Sequence, residues 1–276
     1  MRPRLFLIPL LLSSAACTPA EDYDDAVGVQ EKPQKQASAA SPDAEKSAEA
    51  GKVRVENEFY TFEYAWPAEA AAIAPLTEIL RKRADTAQKE LEKYAREDSA
   101  AAAEAEFEYR PHEMEVEWER VADTPGWLSM SAMVYTYTGG AHPNYVYDSL
   151  VWDKQAGVER DPTDLFRSAG ALGTALGGPF CAQLNAERAK RRGSPVDPAS
   201  DDSFSKCPDI DELTVLLGSS NGTTFDRIGL LAAPYIAGPY AEGSYEFTLP
   251  VTTAVLDAVK PEYRKAFALG TRNSAR

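Results

Sequence analysis

The hydrophobic pattern at the start of the ordered part of the chain predicts strands. Val53 and Val55 alternate with charged residues, and an aromatic run on the opposite parity follows at Tyr60, Phe62, Tyr64 and Trp66. A period of two is typical of a half-buried strand, and the change of parity predicts a bulge or break near Asn57. Pro67 is expected to end the strand because it has no N–H to donate to a sheet.

A helix is predicted next, from apolar residues that recur three and four positions apart. The series is Ile73, Leu76, Leu80, Ala84, Ala87, Leu91 and Tyr94. This spacing places the apolar side chains on one face of a helix. Pro75 is compatible with it in the first turn, where the N–H of proline would have no partner anyway.

The period of two returns after residue 106. Phe107 and Tyr109 share one predicted face, and after Pro111 the apolar set becomes Met114, Val116 and Trp118. The one-residue slip predicts a bulge at Pro111 and His112 in an edge strand, with His112 partly exposed. Glutamates occupy the opposite face at Glu113, Glu115, Glu117 and Glu119. They indicate either a solvated face that protects the sheet or an acidic stripe for a basic partner.

The remaining pattern predicts an α+β fold. Strands are expected over 127–138, 145–153, 213–217, 225–232 and 245–251, and helices over 169–191 and 253–267, with a helix start at Asp161. Strands mixed with segregated helices favour antiparallel sheets over repeated βαβ units. We expect two small modules, over residues 52–122 and 123–276.

The N-terminus has the layout of a secretory signal. Arg2 and Arg4 precede an apolar run, and Ser14-Ala-Ala-Cys17 resembles a bacterial lipobox. We expect cleavage after residue 16, lipidation of Cys17 and a disordered linker over 17–51, rich in Ala, Ser, Glu, Lys and Pro. The predicted location is the periplasm, on the outer rather than the inner membrane. Cleavage near Ala16 without lipidation is the alternative.

Charge and cysteine usage narrow the possible partners. The formal net charge is −14, so the surface should repel nucleic acid and attract a basic protein, although solubility alone would also explain it. With Cys17 used by the anchor, Cys181 and Cys207 are expected to form a disulfide. Two histidines and so few cysteines do not make a zinc site, and the sequence predicts no metal or cofactor.

Catalytic motifs are weak in this sequence. Gly218-Ser-Ser-Asn-Gly222 matches the G-x-S-x-G pattern, but both histidines precede it and no convincing helix follows, so a hairpin turn is expected. Ser203-Phe-Ser-Lys206 matches S-x-x-K without the K-T-G partner. The surviving enzyme hypothesis is a hydrolase of envelope glycans that uses a pair of carboxylates.

The most informative stretch is the turn between the two central predicted strands. Gly139 and Gly140 permit positive φ, and Pro143 restricts His142 before it. His142 could brace its own turn through a ring nitrogen or contact a ligand. The candidate binding residues are Tyr137, Gly139, Gly140, His142, Asn144, Tyr145, Glu115 and Glu117.

This turn and its flanks resemble the RsiV-type extracytoplasmic domain family. The matching blocks are Tyr135-Thr-Tyr-Thr-Gly-Gly-Ala-His-Pro-Asn144, the following strand to Gly157, and Asp161-Pro-Thr-Asp-Leu-Phe166. A second block, Ala233-Pro-Tyr-Ile-Ala-Gly-Pro-Tyr-Ala-Glu-Gly243, is similar with one inserted glycine.

The resemblance implies a non-catalytic α+β domain outside the cytoplasm. Anti-sigma factors of this family bind lysozyme through it, and some cell-wall deacetylases carry it as an accessory domain. We find neither a sigma-binding segment nor a deacetylase domain in this sequence. We therefore expect a binding module on a lipid tether, with a lysozyme-like basic enzyme or peptidoglycan as its ligand.

Overall fold

The computed structural model describes residues 49–197, 200 and 202–271. The predicted signal peptide, Cys17 and the linker up to residue 48 lie outside these residues. The first strand begins at Gly51.

The larger of two sheets has six strands in chain order within the described residues. They are β1 Gly51–Glu56, β2 Tyr60–Trp66, β3 His112–Asp123, β4 Trp127–Tyr137, β5 Asn144–Asp153 and β6 Val158–Arg160. Neighbouring strands are antiparallel except β2 and β3, which are parallel. The parallel pair requires a crossover, and the chain supplies it as a long helix.

That crossover consists of α1, Ala68–Ala71, and α2, Ala74–Glu104. Pro75 lies in the first turn of α2, as its spacing predicted. The buried residues of α2 are Leu76, Leu80, Ala84, Leu91 and Ala95, and they pack against the aromatic residues of β2. Tyr94 was predicted on this face but is 56% exposed, because a helix places Ala95 in register with Leu91 four residues earlier.

The segment before β3 differs from the prediction. Residues 105–111 are irregular, so Phe107 and Tyr109 do not lie in a strand. Pro111 precedes β3, where its missing N–H removes no bond from the sheet, and β3 lies between β2 and β4 rather than at an edge. The irregularity of β3 is at Arg120–Ala122, not at Pro111 and His112. His112, expected to be partly exposed, is 1% exposed because it is aligned with Tyr60 in β2.

The second module has a three-stranded antiparallel sheet in the described part of the chain. Its strands are β7 Thr214–Gly218, β8 Arg227–Ala232 and β9 Tyr245–Pro250. The helix α3, Ala169–Arg192, packs its Phe180 ring against Phe247 of β9, and α4 spans Thr253–Ala258. The predicted helix start at Asp161 is a 3₁₀ turn over Pro162–Leu165, closed by a capping box.

The two hydrophobic cores lie on opposite faces of the larger sheet. Leu150 and Trp152 of β5 join the core under α2, whereas Val151 between them joins the core of the second module, together with Ala122 of β3. The α+β class with antiparallel sheets and two modules is therefore confirmed. The expected module border between residues 122 and 123 falls at the hairpin between β3 and β4, which are paired strands of one sheet.

Among the described helices, none combines the length and the apolar character that crossing a membrane requires.

Candidate functional site

The glycine turn joins β4 to β5 and has one backbone position that requires glycine. Gly139 has a φ of +78°, a conformation that side chains with a Cβ rarely adopt. A Cβ there would lie 3.5 Å from the Arg110 Cβ, so the turn passes close to the segment that precedes β3. Gly140 has no atom within 4 Å of the position of a Cβ and faces open space.

His142 is held by three contacts at the far side of this turn. Its Nδ1 lies 2.8 Å from the Pro143 carbonyl oxygen, which can only accept, so the proton is on Nδ1. Nε2 lies 3.4 Å from the Tyr235 hydroxyl oxygen, within hydrogen-bond distance. The imidazole stacks on the Tyr240 ring with centroids 4.0 Å apart. The bond from Nδ1 lies within the turn itself, which is one of the two roles considered for His142.

The partner of the turn is the segment over residues 233–243, between β8 and β9. Tyr235 has a φ of +72° and is 49% exposed, and its N–H donates to the Gly238 carbonyl oxygen at 2.9 Å. A non-glycine residue in this region costs about 1–2 kcal/mol of backbone strain. The segment therefore presents an aromatic ring to solvent from an unfavourable backbone conformation.

Two tyrosines of β5 extend this surface. The Tyr145 hydroxyl accepts from the Ser244 N–H at 3.1 Å, and the Tyr147 hydroxyl donates to the Glu246 carboxylate at 2.7 Å. Burial raises the pKa of Tyr147, and its bond to Glu246 raises it further although Ser244 opposes the effect. Tyr147 is therefore a neutral donor at physiological pH. We call His142, Tyr145, Tyr147, Tyr235 and Tyr240 the tyrosine platform.

An ion pair joins the platform segment to the helix α3. Arg192 of α3 binds the Glu242 carboxylate through two nitrogens, at 2.7 and 2.9 Å, and the Tyr245 hydroxyl donates to the same carboxylate. Burial opposes ionisation of Glu242, but the bonds from Arg192 and Tyr245 outweigh it and lower the pKa of the carboxyl. Burial and the bond to Glu242 raise the pKa of Tyr245 to about 12.

Arg188 of α3 binds the backbone of residues 233–243 in the interior of the protein. Its side chain is fully buried and donates from Nε and one terminal nitrogen to the Ala237 carbonyl oxygen, at 2.9 and 2.6 Å. The same terminal nitrogen reaches the Lys206 carbonyl oxygen at 2.9 Å. Lys206 precedes Cys207, whose predicted disulfide with Cys181 of α3 is present. One helix therefore anchors both the platform segment and the disulfide loop.

The structure divides the predicted binding residues between the two sides of the turn. His142 and Tyr145 belong to the platform. Gly139 and Gly140 line a cleft on the opposite side, and the Tyr137 hydroxyl accepts a bond from Arg110 at 3.4 Å. The single turn therefore contributes to two surfaces.

Glu115 and Glu117 lie next to the platform rather than in it. In β3, Glu115 pairs with Tyr135 of β4, and Tyr135 pairs in turn with Tyr145 of β5. One step along the same face, Glu117 pairs with Met133, and Met133 pairs with Tyr147. Directly opposed residues share one face of a sheet, so the half-buried glutamates continue the platform face. Asn144 pairs with Thr136, and its buried Oδ1 has no hydrogen-bond partner among the described residues.

Sequence reasoning singled out the turn but not its aromatic partners. Tyr235 and Tyr240 come from the glycine- and proline-rich segment, and the signal that could have identified them was the similarity of that segment to the RsiV-type block. The contact with His142 spans 93 residues of sequence, so no local pattern could reveal it.

The weak catalytic motifs form ordinary turns. Asn221 of the G-x-S-x-G match accepts from the N–H groups of Thr223 and Thr224, and the chain then continues to β8 rather than into a helix. The S-x-x-K match lies in a 3₁₀ turn over Ser203–Ser205. Within the described residues, no three histidine, cysteine or acidic side chains gather as metal ligands would.

Comparisons with known proteins show similarity over part of the chain. A crystal structure of a DUF3298 family member from Bacteroides fragilis NCTC 9343 is 15% identical, with a TM-score of 0.48 over 81% of this chain and 94% of that one. A DUF3298 family protein from Pseudomonas aeruginosa PAO1 is 16% identical, with a TM-score of 0.42 over 79% and 95%. No curated protein matches. Residues 53–145, about a third of the chain, match the family model described as "Deacetylase PdaC".

Proposed function

We propose that this chain is a non-catalytic binding module of the cell envelope whose ligand is a basic protein. A lysozyme-like enzyme is the first candidate. The observation that carries the proposal is the tyrosine platform, in which His142 stacks on Tyr240 and leaves Tyr235 half exposed. Tyrosines that are held in a fixed arrangement at a surface are typical centres of protein interfaces.

The charge around the platform supports a basic partner. The net charge of the chain is −14, Glu246 lies at the platform, and Glu115 and Glu117 continue its face. An acidic rim around an aromatic centre accelerates association with a positively charged protein and favours it over other partners. The resemblance of the turn and of residues 233–243 to lysozyme-binding RsiV-type domains supports the same ligand.

The proposed location follows from the N-terminal sequence. We propose that residues 1–16 are removed, that Cys17 carries the lipid and that 17–51 is the tether. In this arrangement the platform is held near the outer membrane, where an incoming lysozyme would meet it.

Replacing Tyr240 with alanine tests the platform. The variant should bind lysozyme at least about tenfold more weakly, since interface tyrosines of this kind contribute about 2 kcal/mol or more. Binding of the unaltered chain, measured by calorimetry, should also weaken steeply between low and high salt. Tyr94→Ala is the matched control, because Tyr94 is 56% exposed on α2, away from the platform.

Three results would contradict the proposal. The first is absence of lysozyme binding at low salt, and the second is equal weakening by Tyr94→Ala and Tyr240→Ala. The third is retention on insoluble peptidoglycan without binding to lysozyme, which would assign the platform to the cell wall.

A further inference from the structure

The cleft that Gly139 and Gly140 line is on the side of the glycine turn opposite to the tyrosine platform. It is bounded by the C-terminal end of α2, residues 105–111 and the turn itself, and its volume is 660 Å³. This lies within the range of about 300–1,000 Å³ that small-molecule sites occupy. Its lining includes Asp98, Phe107, Tyr109, Arg110, Gly139 and Gly140.

The end of α2 places an aromatic ring at this cleft. Glu106 adopts a φ of +57°, and the Phe107 N–H donates to the Ala102 carbonyl oxygen at 2.9 Å, which is the closing bond of a Schellman motif. The apolar residue at this position usually packs back onto its helix. Phe107 instead remains 75% exposed, so its ring is available to a ligand.

Charged side chains that line the cleft have partners in the surrounding structure. His112 is buried under the Tyr109 ring, and its Nε2 lies 3.1 Å from the Asp98 carboxylate. Arg110, on the other side, donates to the Tyr137 hydroxyl at 3.4 Å. Asp98 and Arg110 therefore both line the cleft, each with a hydrogen-bond partner in the surrounding structure.

The charged and aromatic side chains that line the cleft indicate the class of ligand that it binds. The carboxylates of Asp98 and Glu108 offer hydrogen-bond acceptors, and the guanidinium of Arg110 beside them offers donors. A neutral polyhydroxylated ring satisfies all three, because hydroxyl groups donate to carboxylates and accept from guanidinium. Such a ring also has an apolar C–H face that can lie on Phe107. We propose that this cleft binds a neutral saccharide, independently of any protein bound at the tyrosine platform.

Filling the cleft tests the proposal without removing a polar group. Gly140→Phe adds a ring at a position that lines the cleft and has open space and no positive φ. Gly126→Phe is the matched control, because Gly126 has the same open surroundings and lies in the hairpin between β3 and β4. The probes are chitotetraose, cellotetraose and maltotetraose, titrated into the full chain and followed by calorimetry and saturation-transfer NMR.

At least one of these oligosaccharides should bind, and Gly140→Phe should abolish its binding while Gly126→Phe leaves it unchanged. Phe107→Ala should weaken binding about tenfold or more, and Phe107→Tyr, which keeps the ring face, should preserve it. Failure of all three oligosaccharides to bind would overturn the proposal. Binding that survives both Gly140→Phe and Phe107→Ala would also overturn it, and a fold check by circular dichroism accompanies each variant.

Discussion

Backbone strain in the described residues is concentrated beside the two candidate surfaces. Glu106 and Tyr235 are the non-glycine residues with positive φ in this part of the chain. Glu106 directs Phe107 to the cleft, and Tyr235 presents its own ring on the platform. Strained positions of this kind persist where the surrounding structure holds them, and they often accompany function. Here both of them orient an exposed aromatic ring.

The ion pair of Glu242 and Arg192 gives the chain a predictable response to acid. The folded state lowers the pKa of Glu242, so the pair stabilises the fold above the pKa of an unfolded glutamate, about 4.3. That stabilisation is lost as the pH falls through the lower, folded pKa. Glu242→Gln should therefore reduce the free energy of unfolding by about 1–2 kcal/mol at pH 7.

Urea denaturation of both proteins from pH 7 to pH 2.5 measures this contribution. The difference between wild type and Glu242→Gln should shrink towards the acid end, because protonated Glu242 resembles glutamine. A difference that stays constant over this range would show that the charge of Glu242 does not contribute.

The helix α3 holds two loops, residues 233–243 and the disulfide loop that contains Lys206. Arg188 of α3 binds both of them. Arg188→Met keeps most of the buried volume but leaves the buried Ala237 carbonyl oxygen without its donors. Loss of such a buried charged donor costs about 2–4 kcal/mol. The variant should lower the free energy of unfolding by that amount and weaken lysozyme binding at the platform.

Lys190→Met is the control for this prediction, since Lys190 lies on the same helix with its side chain 78% exposed. It should change stability by less than about 0.5 kcal/mol. If Arg188→Met and Lys190→Met behave alike in denaturation and binding, the helix does not support the segment through Arg188.

Elements with a regular local pattern could be predicted from the sequence. The alternation at Tyr60–Trp66 and the spacing through α2 specify which side chains are buried, because one residue of slip would expose a whole hydrophobic face. Phe107 and Tyr109 misled the prediction because two aromatic residues two positions apart fit a strand, while the helix terminus at Glu106 determined the actual path. The turn of the candidate site could be predicted from its two glycines. Its contact with Tyr240 could not, because Tyr240 reaches His142 only through the packing of two sheets.

At the scale of the whole molecule, the larger sheet serves both cores. Leu128 and Met130 of β4 lie in the core under α2, together with Leu150 and Trp152 of β5. A fragment of residues 49–122 would retain α2 but lose these partners and expose one side of β3. We expect that fragment to be unfolded, with little dispersion of its amide NMR signals. A cooperative thermal transition of the isolated fragment would contradict this expectation.

The contact between Tyr235 and His142 also has a consequence for the order of events during folding. Contacts between residues distant in sequence form late, because the entropy of closing the intervening loop must be overcome first. A growing chain displays the glycine turn well before residues 235–240 have been synthesised. The platform therefore exists only on molecules that have completed both sheets, and a ligand of the platform would distinguish finished molecules from folding intermediates. By mass action, the same ligand would draw partly folded chains towards the native state.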